Sequence, residues 1–233
     1  MAVPAGAACA GVAICLPGDK VSLAGAAAGS GIMAPGVATV AGVVRRSDSE
    51  VMVENLRKRY IPREGDLVVG TVTYRSSEMY RVDIRAPCTA LLPALAFNAA
   101  TRRNKPAIEV GALVYARVAA AHPDLETELS CVDPDSKKSW NTGEILLGEL
   151  RGGTTFEVAL SAAQRLIASD CFVLDRLGQD FAFQTCVGDN GRVWLAAASL
   201  RETVLLVQAI RRSFGMTDVQ VEATVAKMVE VFS

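Results

Sequence analysis

The chain has 233 residues, 51% of them hydrophobic and 21% charged, with a net charge of −1. This is globular composition with apolar mass for two or three small domains, and it excludes a molecule that draws nucleic acid by bulk charge. The charge is nevertheless uneven: Gly42 to Pro106 carries 12 Lys/Arg against 7 Asp/Glu, and Ala107 to the end carries 11 against 17. The basic middle suits phosphate, and the acidic C-terminal half suits protein or solvent.

The opening eighteen residues are apolar and rich in Ala and Gly. No Lys or Arg precedes Lys20, and Pro4, Pro17 and several glycines break the run. These features argue against an export leader and against a membrane-spanning segment. Leu16-Pro17-Gly18-Asp19 is a turn signal, followed by a short strand from Lys20 to Leu23. Ala24 to Gly31 reads as a loop, Gly36 to Arg45 as one or two strands, and Val51 to Leu56 as another. Residues 1–63 are thus expected to form a small β domain.

Tyr60 to Asp66 looks like a joint. Beyond it come strands at Leu67–Thr73, Met79–Ile84, Thr89–Leu92, Leu113–Ala121 and Leu129–Val132, with a turn at Arg75–Glu78. Five short strands with one long irregular connection, Phe97 to Pro106, predict a closed barrel of the OB type over residues 64–133. After Asp133 the period changes. Strands are expected at Phe156–Leu160, Phe181–Val187 and Arg192–Ala198. Three capping boxes, Ser161–Gln164, Ser199–Glu202 and Thr217–Gln220, predict a short helix through Ile167, a helix to Phe214 stopping at Gly215, and a final helix. Residues 134–233 therefore read as an α+β domain, and the fold class is mainly β with an α+β C-terminal domain.

The connection Thr101-Arg102-Arg103-Asn104-Lys105 places three cations and an amide in five residues. On an OB barrel such a loop flanks the face that holds single strands, where Arg forks onto phosphate and Asn adds hydrogen bonds. The plain alternative is a solvated basic loop. Tyr74, Tyr80 and Tyr115 are candidate stacking rings, each also a candidate for the core, and Arg75 and Arg81 stand beside them. Tyr80 and Arg81 point to opposite faces because strand neighbours alternate. These residues fit a sequence-tolerant grip on single-stranded RNA better than a specific reader.

Gly188-Asp189-Asn190-Gly191 matches the G-x-x-G loop with which KH domains clamp a nucleic-acid backbone. Here its flanks read as strands, Asn-Gly is a hairpin signal, and Asp189 would repel phosphate, so a structural turn is the favoured reading. Trp194 reads as an anchor in a domain core or interface. Catalytic residues are not found: His122 is the one histidine, and P-loop, G-x-S-x-G and H-E-x-x-H motifs are missing. Asp124, Glu126 and Glu128 read as a solvated acidic run. No two of the six cysteines form a C-x-x-C pair and there is one histidine to help them, so a zinc site is not expected and free thiols are the plain reading; no metal or cofactor is expected.

Several segments, in this order, carry a family resemblance over nearly the whole chain. They are Leu16-Pro17-Gly18-Asp19, Arg59 to Asp66, Phe97 to Pro106, Val110 to Arg117 and Gly188-Asp189-Asn190-Gly191-Arg192-Val193-Trp194. Together they resemble the RNA exosome cap subunits of the eukaryotic ribosomal RNA-processing protein 40 family, the last of them matching a G-x-N-G-[RK]-[IV]-W signature. The resemblance implies a small N-terminal β domain, an S1-type OB fold and a KH-like domain. It implies a non-catalytic subunit seated on a ring of RNase PH-like subunits beside other cap subunits. Single-stranded RNA would pass through the channel toward a separate hydrolytic exoribonuclease, in the nucleus, nucleolus and cytoplasm, with no membrane partner. It also places Arg102, Arg103 and Lys105 on the RNA path and gives Gly188, Asn190, Gly191 and Trp194 a role in packing between domains. Pro17, Gly18 and Asp19 would form the N-terminal turn. A free-standing RNA-binding protein of translation or ribosome assembly is the alternative.

Overall fold

In a computed structural model the described residues are 13–23, 25–29, 31–33, 35–46, 50–54, 59–122, 124–133, 146–167, 171–214, 216 and 218–232. The chain divides into two compact units, Met1–Arg57 and Lys58–Ser233.

In the first unit, β1 (Ala13–Cys15), β2 (Ala27–Ala28), β5 (Gly42–Arg46) and β6 (Glu50–Glu54) form a sheet in the order β1-β5-β6-β2. The two-residue strands β3 (Ile32–Met33) and β4 (Val37–Ala38) pair beside it. The turn after β1 closes as expected. Asp19 donates its amide to the Leu16 carbonyl at 3.0 Å and accepts from the Leu16 amide at 2.8 Å. The strand expected at Lys20–Leu23 is reduced to one bridge, Lys20 opposite Val37, while β2 arises inside the expected loop by parallel pairing with Glu50 and Val51. Cys15, Ala38 and Val53 form the small core.

The second unit begins with the barrel: β7 (Leu67–Arg75), β8 (Met79–Asp83), β9 (Ala90–Pro93), β10 (Leu113–Ala120) and β11 (Glu128–Ser130). Antiparallel pairing runs β9-β8-β7-β10-β11, and the parallel contact of β11 with β9 closes the ring. That is the strand order of an OB barrel. A sixth strand, β12 (Gly148–Leu150), adds to the outer edge of β10. Burial alternates along β8, with Tyr80 and Val82 inside and Arg81 outside. Along β10 it does not: Val114, Tyr115 and Ala116 are all buried, because the C-terminal region covers the outer face there.

That region holds β13 (Thr154–Glu157), β14 (Phe183–Val187) and β15 (Arg192–Ala197), in the order β13-β15-β14, and the helices α1 (Leu160–Ile167), α2 (Phe172–Asp180), α3 (Leu200–Ser213) and α4 (Asp218–Phe232). Leu177, Val193, Leu195, Leu206 and Ile210 centre its own core. Ser199 caps α3, its hydroxyl accepting from the Glu202 amide at 3.2 Å, so the N-cap half of that capping box forms. The helix ends at Ser213 with Phe214 as its extended C-cap; Gly215 and Thr217 lie outside the described residues. The box at Ser161 does not form. α1 starts one residue earlier, which puts Ser161 inside the first turn, buried with Ala162 and Ala163. α2 carries no sequence signal. Its N-cap, Cys171, makes no side-chain cap bond, and Leu177 alone is buried along it, so packing rather than capping holds the helix.

Candidate nucleic-acid interface

The connection from β9 to β10 is irregular yet pinned at both ends. On the entry side Phe97 bridges Cys131, and Asn98 is buried, accepting from the Asp133 amide at 2.9 Å. On the exit side Pro106 is buried, its carbonyl receiving the Tyr80 hydroxyl at 2.5 Å, and Ile108 is fully buried behind it. Between these anchors the amides and carbonyls of Thr101 and Asn104 bond reciprocally, at 2.9 and 3.1 Å. The result is a tight protrusion on which Arg102, Arg103, Asn104 and Lys105 are all exposed. Neither Arg102 nor Arg103 has an acidic partner among the described residues. The Lys105 ammonium bonds the Ser77 carbonyl, which ties the protrusion to the β7–β8 turn.

The three tyrosines separate. Tyr80 is 2% exposed and its hydroxyl is spent on Pro106, so it belongs to the core and offers no open ring to RNA, contrary to the expectation from sequence. Tyr115 is buried too, its hydroxyl donating to the Val187 carbonyl, and burial pushes that phenol up from its ordinary value. Tyr74 is 57% exposed and stands opposite Arg81 in register. Arg75, at the end of β7, is exposed as well. Arg81 does not stand alone. Its Nη2 lies 3.7 Å from Oε1 of Glu126, in the connection between β10 and β11.

Gly188 to Gly191 form the β14–β15 hairpin turn, driven into the barrel wall. Asn190 is fully buried, and its amide nitrogen donates to two barrel carbonyls, Val69 at 2.8 Å and Ile84 at 2.9 Å. Asp189 makes a two-way link to Leu67: its amide donates to the Leu67 carbonyl at 2.8 Å, and its carboxylate accepts from the Leu67 amide at 2.9 Å. A side chain at Gly188 would bring a Cβ within 2.8 Å of the Val69 amide nitrogen. Gly191 has φ +77°, where a Cβ is strained, and one there would lie 2.7 Å from the Val158 carbonyl. All four positions are committed to the seam, so none can clamp a nucleic-acid backbone.

Charge completes the seam. Arg192 donates to the Asp83 carbonyl at 2.6 Å and to its carboxylate at 2.7 Å, while Arg85 reaches the Val158 carbonyl at 3.3 Å and Glu157 at 3.6 Å. Burial is the largest single influence on Asp83 and opposes its ionisation, but the Arg192 hydrogen bond, the Arg85 amide and the Arg192 charge together outweigh it and hold the carboxyl below its ordinary range. For Asp189 burial wins over the backbone bonds and, with nearby Asp66, pushes the carboxyl up. Trp194 is 4% exposed, packs with the barrel core and donates its indole N–H to the Gly152 carbonyl at 2.9 Å. Asp83, Arg85 and Asp189 were not legible as seam residues. A charged residue in a turn or on the polar side of a strand reads as solvated, and the partners lie 73 to 122 positions away.

Elsewhere, His122 and Asp124 form an exposed pair at 3.9 Å, and Glu126 and Glu128 are exposed. Among the described residues no group of His, Cys, Asp and Glu is placed to hold a metal ion, and no helix is long and apolar enough to cross a membrane. Cys15, Cys88, Cys131 and Cys186 are free thiols, while Cys9 lies outside the described residues.

Comparison with known proteins places this architecture. The S1 domain of exosome complex component RRP40 matches residues 60–143, and a KH domain matches residues 153–201. RRP40 of Drosophila melanogaster is 38% identical over 84% of this chain and 87% of its own length. The Schizosaccharomyces pombe relative is 40% identical over 72% and 68%, and the Homo sapiens one 32% identical over 76% and 63%. A crystal structure assigned to an exosome complex RNA-binding protein shares the fold, with a TM-score of 0.61 at 20% identity, over 76% of this chain and all of that one. With an S1-type barrel, a KH-like region and a G-x-N-G turn buried between them, this chain belongs to the exosome complex component RRP40 family.

Proposed function

We propose that this protein is a non-catalytic RNA-binding subunit of the exosome cap, guiding single-stranded RNA into the channel for 3′-to-5′ processing and degradation. The OB-fold domain, residues 64–133, supplies the contact, and the KH-like domain, residues 134–233, braces it. The observation that carries this reading is the protrusion at Arg102 and Arg103. Two exposed guanidinium groups, without an acidic partner among the described residues, stand on a loop whose flanks are locked into a barrel, which is how a wall presents charge to a passing phosphate chain. The same reading assigns catalysis to a hydrolytic exoribonuclease in the complex and seats this chain on RNase PH-like ring subunits beside other cap subunits. It acts where the exosome acts, in the nucleus and cytoplasm, nucleolus included.

The test is reconstitution with the ring and cap subunits followed by photocrosslinking of a threaded single-stranded RNA. Crosslinks at residues 101–105 are the expected outcome. Crosslinks that avoid this loop would overturn its role. A protein that fails to join the ring and travels with ribosomes would overturn cap membership.

A further inference from the structure

Arg81 points outward from β8, between the buried Tyr80 and Val82, with exposed Tyr74 opposite it on β7. A guanidinium next to an open ring is a place for one nucleotide, phosphate on the arginine and base on the tyrosine. Yet the guanidinium is already engaged. Glu126 lies 3.7 Å away, and the two side chains remain 48% and 44% exposed. Glu126 is brought there by its backbone rather than by the ion pair. The next residue, Thr127, is buried and its carbonyl receives the Leu91 amide at 2.8 Å, stitching the connection to β9. The carboxylate therefore stays near Arg81 whether or not the pair is made.

We infer that Glu126 competes with RNA phosphate for Arg81 and so weakens the hold of the barrel on the strand. This rests on the reading that the barrel binds single-stranded RNA, and it adds a residue that sets how strongly. A pair that is long and half in solvent is weak enough for a phosphate to displace. Displacement exchanges one anion for another on Arg81, so this contact adds little to counterion release. A chain that must move past the subunit gains from such a contact, because each phosphate that leaves Arg81 is replaced at once by Glu126.

The experiment is a salt titration of binding between the full chain and a fluorescent oligouridylate, read by anisotropy. Glu126→Gln is expected to tighten binding about two- to five-fold, the range set by an exposed ion pair. It is also expected to steepen the log–log salt slope by about 0.7, one more phosphate contact on a single strand. Glu128→Gln changes net charge equally two residues away and serves as the control, expected to show neither effect in full. In the Arg81→Gln background the gain from Glu126→Gln should vanish. Equal behaviour of E126Q and E128Q, or a gain that persists without Arg81, overturns the inference while leaving RNA binding intact. No binding by the wild-type chain overturns the reading of the barrel itself and the inference with it.

Discussion

Asn190 spends both hydrogens of its amide on two barrel carbonyls, those of Val69 and Ile84. Asn190→Ala would remove both of these buried bonds and is expected to cost about 2–4 kcal/mol, measurable by denaturant titration. The two seam carboxylates respond to pH in opposite directions. Asp83 titrates below its ordinary value in the folded state, so its contribution is present above about pH 4 and is lost as pH falls through the lower folded value. Asp189 titrates above its ordinary value, so its contribution is present at acid pH and is lost as pH rises through that raised value. Asp189→Asn keeps an oxygen for the Leu67 amide and removes a buried charge. It should therefore melt above the wild type at neutral pH, with the gap closing on acidification, and an unchanged gap across that range would refute the assignment. Asp83→Asn should melt lower at neutral pH and lose part of the acid sensitivity.

At the scale of elements, the decisive piece is the irregular β9–β10 connection. Its cations are exposed while Asn98, Pro106 and Ile108 anchor it, so charge can be removed without disturbing the barrel. Replacing Arg102, Arg103 and Lys105 together by Gln should leave the melting temperature within a few degrees of wild type. It should flatten the salt slope of RNA binding by up to about 2, three single-strand phosphate contacts at about 0.7 each. An unaltered slope would remove this loop from the RNA path. The elements also mark where sequence signals succeed. At Ser199 the cap works because the residue is extended and precedes the first turn, whereas at Ser161 the chain is already helical and the residue is buried. The five barrel strands were legible because each is a short apolar or alternating run set off by turn and loop residues; α2 was not, because it has neither a cap nor a broad apolar face.

On the scale of the whole molecule, the barrel and the KH-like region share one compact unit, Lys58–Ser233. Asn190, Asp189 and Arg192 cross-link them, Trp194 lies in the barrel core, and β12 extends the barrel sheet from beyond residue 133. Fluorescence of the Trp194 region and far-UV circular dichroism should therefore report one coincident unfolding transition for this unit. A fragment ending at residue 133 should be markedly less stable than the same barrel within the chain, since Val69, Ile84 and Tyr115 would lose their cover. Two separate transitions would contradict the shared seam. The sequence by itself determined the OB barrel, the α+β region that follows and the basic protrusion. Those depend on local periodicity, turn chemistry and charge, all of which act over a few residues. Only the tertiary structure decided which tyrosine is open, which barrel groups the G-x-N-G turn bonds, and that Glu126 holds Arg81. Each of these is set by what a distant segment places against the side chain, and hydrogen-bond partners a hundred residues apart leave no pattern in the chain.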